Sequence, residues 1–452
     1  MPKGLESLYP SLQLDLHIYK TASHNTRNVG GFDETSQSTT IAVTNGTLVV
    51  DKAGGGESVF FGANSVRIDD GGIVSLEAQD ALGYGNARTV TINRGGVLSV
   101  KVRDTLKRTV ALNGGTIEVQ GENSGRALDF FNGNIITVTD NSLVQGIATE
   151  DESDPKIYFR DESSDHHNTI TVNIDDGISM VNNVTYAHSG KVTVRGTMNN
   201  GVGNGSMVMN GFNNNPLTFT GLATIGESGK PVMYKLNCEH QNGIYTVNAA
   251  SRFMGSGSVT GNGGVTLAAA NSKICGSLTI NNVTATSGGT FGDQWNSVAA
   301  KIADSFTASG TQTIENGSLT LLDTCTVTNS AGVANATDAS FNIMSNGKLV
   351  LATSLEVGGL TVADGGTIVL AASKNAAKSA KLTVKEGEPS YAGKVNIVLD
   401  FGDEGVPGNF KVALPPGLTA ENASVTDLNG RKRWRIEDGY AVSNGGLYFI
   451  IR

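Results

Sequence analysis

One short phrase recurs along the chain and limits what the chain can fold into. The phrase is a polar residue, one or two glycines and a short strand of alternating apolar side chains, as in Asp70-Gly71-Gly72-Ile73-Val74-Ser75-Leu76. A polar residue followed by glycine permits positive φ and a sharp turn. The first glycines of four successive copies are Gly46, Gly71, Gly95 and Gly114. Their spacing gives a repeat of roughly 19 to 25 residues, which is the length of one coil of a solenoid.

The strands between these turns are short and alternate in polarity. In one of them Leu98 and Val100 are apolar, and in another Ile170, Val172 and Ile174 are. Alternation with period two buries one face of a strand and exposes the other. An antiparallel sandwich would give turn signals at intervals of roughly 8 to 12 residues, without a longer repeat. The longer period instead predicts an all-β chain folded as a parallel β-helix, a solenoid whose inward positions form ladders of Val, Ile and Leu.

The pattern also divides the chain. Residues 39–386 carry the repeat and are predicted to form the parallel β-helix domain. Residues 1–38 break the pattern and are predicted to be an N-terminal leader or cap. Residues 387–452 hold four of the nine prolines and longer strands, and they are predicted to form a C-terminal β capping module. Two short segments, Asn296–Ser305 and Ser373–Ala380, are the candidates for helix.

Composition and charge exclude several classes of protein. The 58 glycines do not recur at every third position, which excludes collagen. The chain is rich in Val, Ile and Thr, and only 17% of its residues are charged, which argues against disorder. A net charge of -9 argues against nucleic acid as a partner. No apolar stretch approaches the roughly 18 residues that a spanning helix needs, so we expect no transmembrane segment.

The three cysteines do not indicate a metal site. Cys238, Cys275 and Cys325 show neither a zinc spacing nor a dense disulfide framework. The alternating apolar residues beside Cys275 and Cys325 favour buried, small hydrophobic side chains. A bridge between Cys238 and Cys275 on stacked turns is the alternative.

A family resemblance is carried by Gly255–Leu267, which reads GSGSVTGNGGVTL, and by the other Gly-Gly-x-hydrophobic phrases. These segments resemble the glycine- and asparagine-punctuated coils of bacterial autotransporter passenger domains, the pertactin-like, pectin-lyase-like β-helices. The resemblance implies a right-handed parallel β-helix with a C-terminal cap, and a protein that is secreted or displayed on the bacterial outer surface. Residues 1–6 lack the apolar segment of an export signal, so we expect such a signal to have been removed.

Paired aspartates are the candidates for catalysis. Hydrolysis of a sugar linkage needs two carboxylates about 5 to 10 Å apart, which adjacent coils can supply. Asp69 with Asp70, and Asp175 with Asp176, are the candidate pairs. Each pair directly precedes a glycine turn, where aspartate is also favoured for bonding to the backbone, so the turn interpretation is preferred. The Asn-Thr-Asp, Gly-His-Gly and Arg-Ile-Lys phrases of pectin-degrading β-helices do not occur.

An acidic insertion between Glu150 and Asn168 is the candidate binding segment. Inserted loops are where a solenoid usually carries recognition, and this insertion could bind a polar glycan or a divalent cation. The spacing of these residues does not match the ligand pattern of any particular metal, so we expect no metal site and no cofactor. A solvated loop without a ligand is the alternative. The candidate binding residues are Arg160, Asp161, Glu162, Asp165, His166 and His167.

Two functions remain open. The first is a non-catalytic, secreted or surface-displayed β-helix that binds an extracellular glycan, mucin or a host or matrix protein, or that serves as a rigid stalk. The second is a hydrolase or lyase that acts on extracellular glycans or mucin-type glycoproteins through paired aspartates. The enzyme requires a cleft with two carboxyl groups within about 10 Å. The binding protein is expected to present a flat, wet, ladder-like face.

Overall fold

The prediction of an all-β chain of stacked parallel strands is confirmed. Strands make up 64% of the computed structural model, and parallel sheets stack as a β-solenoid. Across the residues that the structure describes there is no α-helix, and 3-10 turns lie at Ala376–Lys378 and Gly402–Glu404. The described residues are 17–18, 40–50, 65–79, 81, 89–102, 104–106, 109–120, 126–130, 134–147, 156–159, 169–175, 178–183, 185–188, 191–196, 206–210, 217–219, 222–226, 231, 233–236, 239–385, 387–404, 408–429 and 434–443.

The chain divides into two compact units, residues 1–244 and 245–452. The strands of the first unit are β1 (His17–Ile18), β2 (Thr40–Val43), β3 (Gly46–Val50), β4 (Ser65–Ile68), β5 (Gly72–Leu76), β6 (Thr89–Asn93), β7 (Val97–Val100), β8 (Asp104–Leu106), β9 (Thr109–Asn113), β10 (Thr116–Gln120), β11 (Arg126–Phe130), β12 (Ile135–Asp140), β13 (Ser142–Ile147), β14 (Lys156–Phe159), β15 (Thr169–Ile174), β16 (Ser179–Asn183), β17 (Thr185–His188), β18 (Lys191–Gly196), β19 (Ser206–Asn210), β20 (Leu217–Phe219), β21 (Leu222–Ile225), β22 (Met233–Leu236) and β23 (Glu239–Gln241).

These strands pair in parallel as three ladders. Ladder A joins β1, β3, β5, β7, β10, β13, β16, β19 and β22. Ladder B joins β2, β4, β6, β9, β12, β15, β18 and β21. Ladder C joins β8, β11, β14, β17, β20 and β23. Successive members come one coil later in the chain, which explains the period of the sequence repeat.

The core of the first unit consists of apolar rows that follow the ladders. In ladder B, one row pairs Ile68, Ile92, Leu112, Val138 and Ile174 in register. All of these side chains are buried. Since alternate side chains point to opposite faces of a strand, the residues between them face outward.

The two glycines of the repeated phrase have different tasks. Gly95 has φ of 76°, a left-handed turn conformation that side chains with a Cβ disfavour. Gly96 lies against the preceding coil, and a Cβ there would be 2.5 Å from the carbonyl oxygen of Ile68. The first glycine therefore makes the turn, and the second lets one coil approach the next.

The strands of the second unit begin with β24 (Ile244–Val247), which starts at the last residue of the first unit. The others are β25 (Arg252–Gly255), β26 (Ser258–Leu267), β27 (Lys273–Ile274), β28 (Thr279–Ala285), β29 (Gly289–Phe291), β30 (Val298–Ala308), β31 (Gly310–Leu321), β32 (Thr326–Thr328), β33 (Ala336–Leu351), β34 (Leu355–Val362), β35 (Thr367–Ala371), β36 (Leu382–Val384), β37 (Ser390–Tyr391), β38 (Val395–Asp400), β39 (Lys411–Ala413), β40 (Ala423–Asp427), β41 (Trp434–Glu437) and β42 (Tyr440–Ser443).

The second unit also consists of parallel ladders. Ladder D joins β25, β27, β29, β31, β33, β34 and β37. Ladder E joins the C-terminal parts of β26, β28 and β30 with β32. Ladder F joins β26, β28, β30, β31, β33, β35, β38 and β40. The long strands take part in two ladders, with a register shift between the two parts.

An antiparallel sheet near the C-terminus differs from the ladders. It consists of β39, β42 and β41 in that order. Trp434 stacks on Phe401 with ring centroids 5.9 Å apart, so the sheet packs on the residue that follows β38. Parallel pairing continues beyond residue 386 through β38 and β40. The boundaries predicted for the leader, repeat and cap stay predictions.

One of the two candidate helices is wrong. Most of Asn296–Ser305 lies in β30, because Val298, Ala300 and Ile302 are buried at alternate positions while the residues between them are exposed. The other candidate contains only the 3-10 turn at Ala376–Lys378. Within the part of the chain that the structure describes, no helix is long and apolar enough to cross a membrane.

Candidate functional site

Asp69, a predicted catalytic residue, belongs to a ladder of turn side chains in the first unit. Its Oδ1 accepts a hydrogen bond from Asn93 Nδ2 at 2.6 Å, and its Oδ2 accepts one from Arg67 Nε at 3.0 Å. Asn113 Nδ2 donates to Asn93 Oδ1 at 3.0 Å, and Thr139 Oγ1 donates to Asn113 Oδ1 at 2.6 Å. Both carboxylate oxygens of Asp69 thus have partners within the chain, which favours the turn interpretation of this residue.

Two other predicted residues lie at turns. Asp70 is exposed, and its Oδ1 is 2.0 Å from where a Cβ at Gly95 would stand, so the carboxylate covers the glycine of the next coil. Asp175 is exposed, and its backbone N–H donates to the carbonyl oxygen of Val138 at 2.9 Å. Part of the segment predicted as an insertion, β14, is a regular rung of ladder C that pairs with β11 and β17, so Glu150–Asn168 is not one inserted loop. The remaining predicted residues lie outside the described part of the chain, and their roles stay predictions: Arg160, Asp161, Glu162, Asp165, His166, His167 and Asp176.

The second unit carries a regular polar surface on the outward side of ladder E, which we call the hydroxyl face. Its strands read polar-apolar-polar, and the central residues Val283, Phe306 and Val327 are buried. The polar residues line up in two rows, and most are half-buried. One row is Thr266, Thr284, Thr307 and Thr328, and the other is Asn282, Ser305 and Thr326.

Hydrogen bonds tie successive rungs of the hydroxyl face together. Ser305 Oγ donates to Asn282 Oδ1 at 2.7 Å, and the hydroxyls of Thr307 and Thr328 are 3.2 Å apart. Rungs of a sheet are about 4.8 Å apart, and alternate residues of a strand are about 6.7 Å apart. Each hydroxyl can donate one hydrogen bond and accept two, so the face keeps capacity for further partners. The result is a regular array of neutral polar groups.

A second polar feature of the second unit is a buried ion pair. Arg252 of β25 and Asp293, which follows β29, have side chains only 4% and 1% exposed, and Arg252 Nε donates to Asp293 Oδ2 at 2.7 Å. Lys273 Nζ lies 3.7 Å from the same oxygen. Lys273 pairs in register with Arg252 and with Thr290, so the charges come from three successive coils.

The carboxylate of Asp293 also organises the turn that follows it. Its Oδ1 accepts hydrogen bonds from the backbone N–H of Trp295 at 2.9 Å and of Asn296 at 2.7 Å. Burial raises the pKa of Asp293, but the hydrogen bonds from Arg252 and these backbone groups outweigh it and hold the pKa below its usual value. The indole of Trp295 itself is exposed.

The described cysteines are structural. Cys275 and Cys325 are free and buried, in agreement with the interpretation as small hydrophobic side chains, and Cys238 lies outside the described residues. Burial is the main cause that raises the pKa of Cys275 to about 12 and that of Cys325 to about 11, so both thiols stay protonated near neutral pH. Among the described side chains, no three His, Cys, Asp or Glu residues are grouped so as to hold a metal ion.

Sequence reasoning missed both the hydroxyl face and the exposed tryptophan. The face has a signal in three triplets that recur once per coil, Asn282-Val283-Thr284, Ser305-Phe306-Thr307 and Thr326-Val327-Thr328. Trp295 is one of only two tryptophans in the sequence and follows closely after the turn glycine Gly292. The sequence does not reveal the hydrogen bonds by which Asp293 holds the backbone of this turn.

No family model matches the chain, and a search of curated proteins finds no match either.

Proposed function

We propose that this chain is a non-catalytic, secreted or surface-displayed binding protein whose partner is an extracellular glycan, mucin or a host or matrix protein. The observation that carries the proposal is the hydroxyl face, with its two in-register rows of threonine, serine and asparagine. Such rows offer hydrogen bonds at a fixed repeat to a polymer that is itself repetitive and polar. Because many weak contacts at matching spacing act together, a partner gains affinity from the length of the ladder.

The hydrogen bonds of Asp69 also favour a turn role for this candidate catalytic residue. Both of its carboxylate oxygens accept hydrogen bonds within the chain, from Asn93 and from Arg67. The phrase at Gly255–Leu267 and the stacked parallel strands support the further proposal that the chain resembles autotransporter passengers in being exported.

A binding screen tests this function. The purified chain is applied to arrays of glycans, mucins and matrix proteins, in parallel with a turnover assay on the same mucins and polysaccharides. We expect saturable binding and no release of reducing ends or peptides. Reproducible turnover that is lost in Asp175→Asn or Asp161→Asn would replace the proposal with a hydrolase or lyase. Absence of binding to every array element would reject the proposal outright.

A further inference from the structure

Trp295 is an exposed aromatic side chain on a rigid support. Its indole is 63% exposed, whereas the large aromatic side chains Phe291, Phe306 and Phe341 are fully buried in the same unit. Its backbone lies in a turn that two hydrogen bonds close. The N–H of Asp293 donates to the carbonyl oxygen of Asn296 at 2.8 Å, and the N–H of Asn296 donates to the carbonyl oxygen of Asp293 at 3.2 Å. A rigid, exposed tryptophan is typical of the anchor residue of a binding site.

The support of this turn comes from the buried ion pair. Burying two charges is costly, and an apolar pair of similar volume often stabilises a fold as well or better. Here the pair places the carboxylate so that its other oxygen caps the turn at Trp295. Asn316 Nδ2, from the next coil, donates to the carbonyl oxygen of Asp293 at 3.2 Å and ties the turn from the other side. The turn is therefore fixed from the coils on both sides of it.

The residues next to Trp295 on its solvent-exposed turn are neutral and polar. Gln294 and Ser297 are exposed, and Asn296 is half-buried beside them. The negative charge of Asp293 is directed at Arg252 and buried with it. The buried position of the Asp293 charge is consistent with an uncharged ligand. An aromatic face bordered by amides and a hydroxyl suits a ligand that has an apolar ring face and uncharged hydroxyl groups at its edge. A neutral pyranose ring has both.

We infer that Trp295 is a stacking platform for a neutral sugar ring, with Gln294, Asn296 and Ser297 as the polar groups at its rim, and that Arg252 and Asp293 are positioning residues for it. This inference rests on the proposed function and names the class of glycan that the chain binds. An indole buried against a ligand commonly contributes a large share of the binding free energy.

Tryptophan fluorescence reports on the site directly. Trp434 is buried in the C-terminal sheet, so the variant Trp434→Phe leaves Trp295 as the single tryptophan of the sequence. Chitohexaose, cellohexaose and mannohexaose are titrated as neutral probes, and a heparin hexasaccharide as the anionic contrast. We expect at least one neutral probe to shift the Trp295 emission in a saturable way, and the heparin probe to have no effect. No shift with any neutral probe would overturn the inference, as would a shift with heparin alone.

Substitutions separate stacking from other contributions. In calorimetric titrations with the responding sugar, Trp295→Ala should weaken binding about tenfold or more, and Trp295→Phe should retain part of it. Leu428→Ala is the matched control, because Leu428 is 61% exposed in the same unit. Equal affinity of Trp295→Ala and the wild type would contradict stacking.

The fluorescence experiment has one further outcome. If the Trp295 emission shifts with protein concentration alone, the occupant of the site is a second copy of this chain, and the inference is wrong.

The positioning role needs its own readout. Replacing Arg252 by Met together with Asp293 by Leu removes both fully buried charges, and Lys273, whose side chain is 22% exposed, keeps contact with water. We expect faster decay of Trp295 fluorescence anisotropy and weaker sugar binding, while circular dichroism keeps its β-sheet signal. Unchanged anisotropy and affinity would show that the ion pair does not position Trp295.

The two proposals fail in different ways. If the wild type binds the arrays and Trp295→Ala binds them equally well, stacking is wrong and the proposed function stands. If the wild type binds neither an array element nor a soluble sugar, the proposed function is wrong and the inference fails with it.

Discussion

At the scale of single residues, glycines set how closely one coil stacks on the next. Gly347 of β33 shows the close approach, since a Cβ there would stand 2.2 Å from the carbonyl oxygen of Ile314 on the preceding coil. That oxygen belongs to the backbone, so it cannot move aside as the end of a flexible side chain can. The position therefore excludes every side chain, although its backbone conformation is an ordinary one.

Gly347→Ala is expected to destabilise the second unit by about 1–3 kcal/mol, because the added methyl group forces two coils apart. Gly408→Ala is the control, since a Cβ at Gly408 meets no atom within 4 Å. Its effect should stay within about 0.5 kcal/mol. Urea unfolding followed by circular dichroism measures both. Equal effects of the two substitutions would show that close approach of the coils does not explain the glycine at position 347.

The sequence predicts which residues form the turns, but it does not predict the hydrogen-bond partners of their polar side chains. Asp69 and Asp175 were recognisable as turn residues because a glycine phrase follows each of them. The hydrogen bond from Asn93 to Asp69 depends on the in-register stacking of their two coils. The order of residues along the chain does not show that register. The same limit hid the rows of the hydroxyl face, since neighbouring members of a row belong to different coils and are far apart in the chain.

At the scale of elements, alternation of buried and exposed residues decides the structure more than local propensity does. The alanines around Lys301 favour a helix in isolation. They lie in β30 because Ile302 pairs with Leu321 of the next coil, and both are fully buried. The error at Asn296–Ser305 arose from tertiary pairing that overrides the helix preference of alanine.

The ion pair predicts how stability depends on pH. The pKa of Asp293 in the folded chain is lower than in the unfolded chain, where it is about 3.9. Its contribution to stability is therefore present above that pH and is lost as the pH falls through the folded value. We expect the free energy of unfolding to fall more steeply from about pH 5 to about pH 2 in the wild type than in the Arg252→Met/Asp293→Leu variant. Parallel pH profiles in urea unfolding would contradict this role of Asp293.

At the scale of the whole molecule, stacked parallel strands leave an edge wherever the stack ends. An uncovered edge pairs with other chains, so solenoids carry capping elements. In the second unit, β41 of the antiparallel sheet lies against β40, the last strand of ladder F. The ring of Trp434 stacks on Phe401, which also contacts Phe410, and these aromatic contacts hold the sheet against the end of ladder F. The sequence predicts a C-terminal capping module from residue 387, and it does not show that parallel pairing continues beyond that residue through β38 and β40.

Trp434→Ala is expected to loosen the C-terminal sheet, because it removes a buried aromatic side chain that contributes about 3–5 kcal/mol. The exposed edge of β40 should then lead to association that grows with protein concentration. Sedimentation velocity measures this, with the exposed residue Leu428 changed to Ala as the control. A variant that sediments like the wild type at every concentration would show that the sheet is no cap.

The central claim is that the rows of the hydroxyl face, which exist only because the coils stack in register, are the binding surface. Calorimetric titration of the partner found by array is the most direct test, with Thr284→Val, Thr307→Val and the double variant compared with the wild type. Valine keeps the shape and the strand preference of threonine and removes only the hydroxyl. Thr361→Val, an exposed threonine of ladder D, is the control. We expect a graded loss of affinity from the single to the double variant and none for the control; equal affinity of the double variant and the wild type would show that the hydroxyl face is not the binding surface.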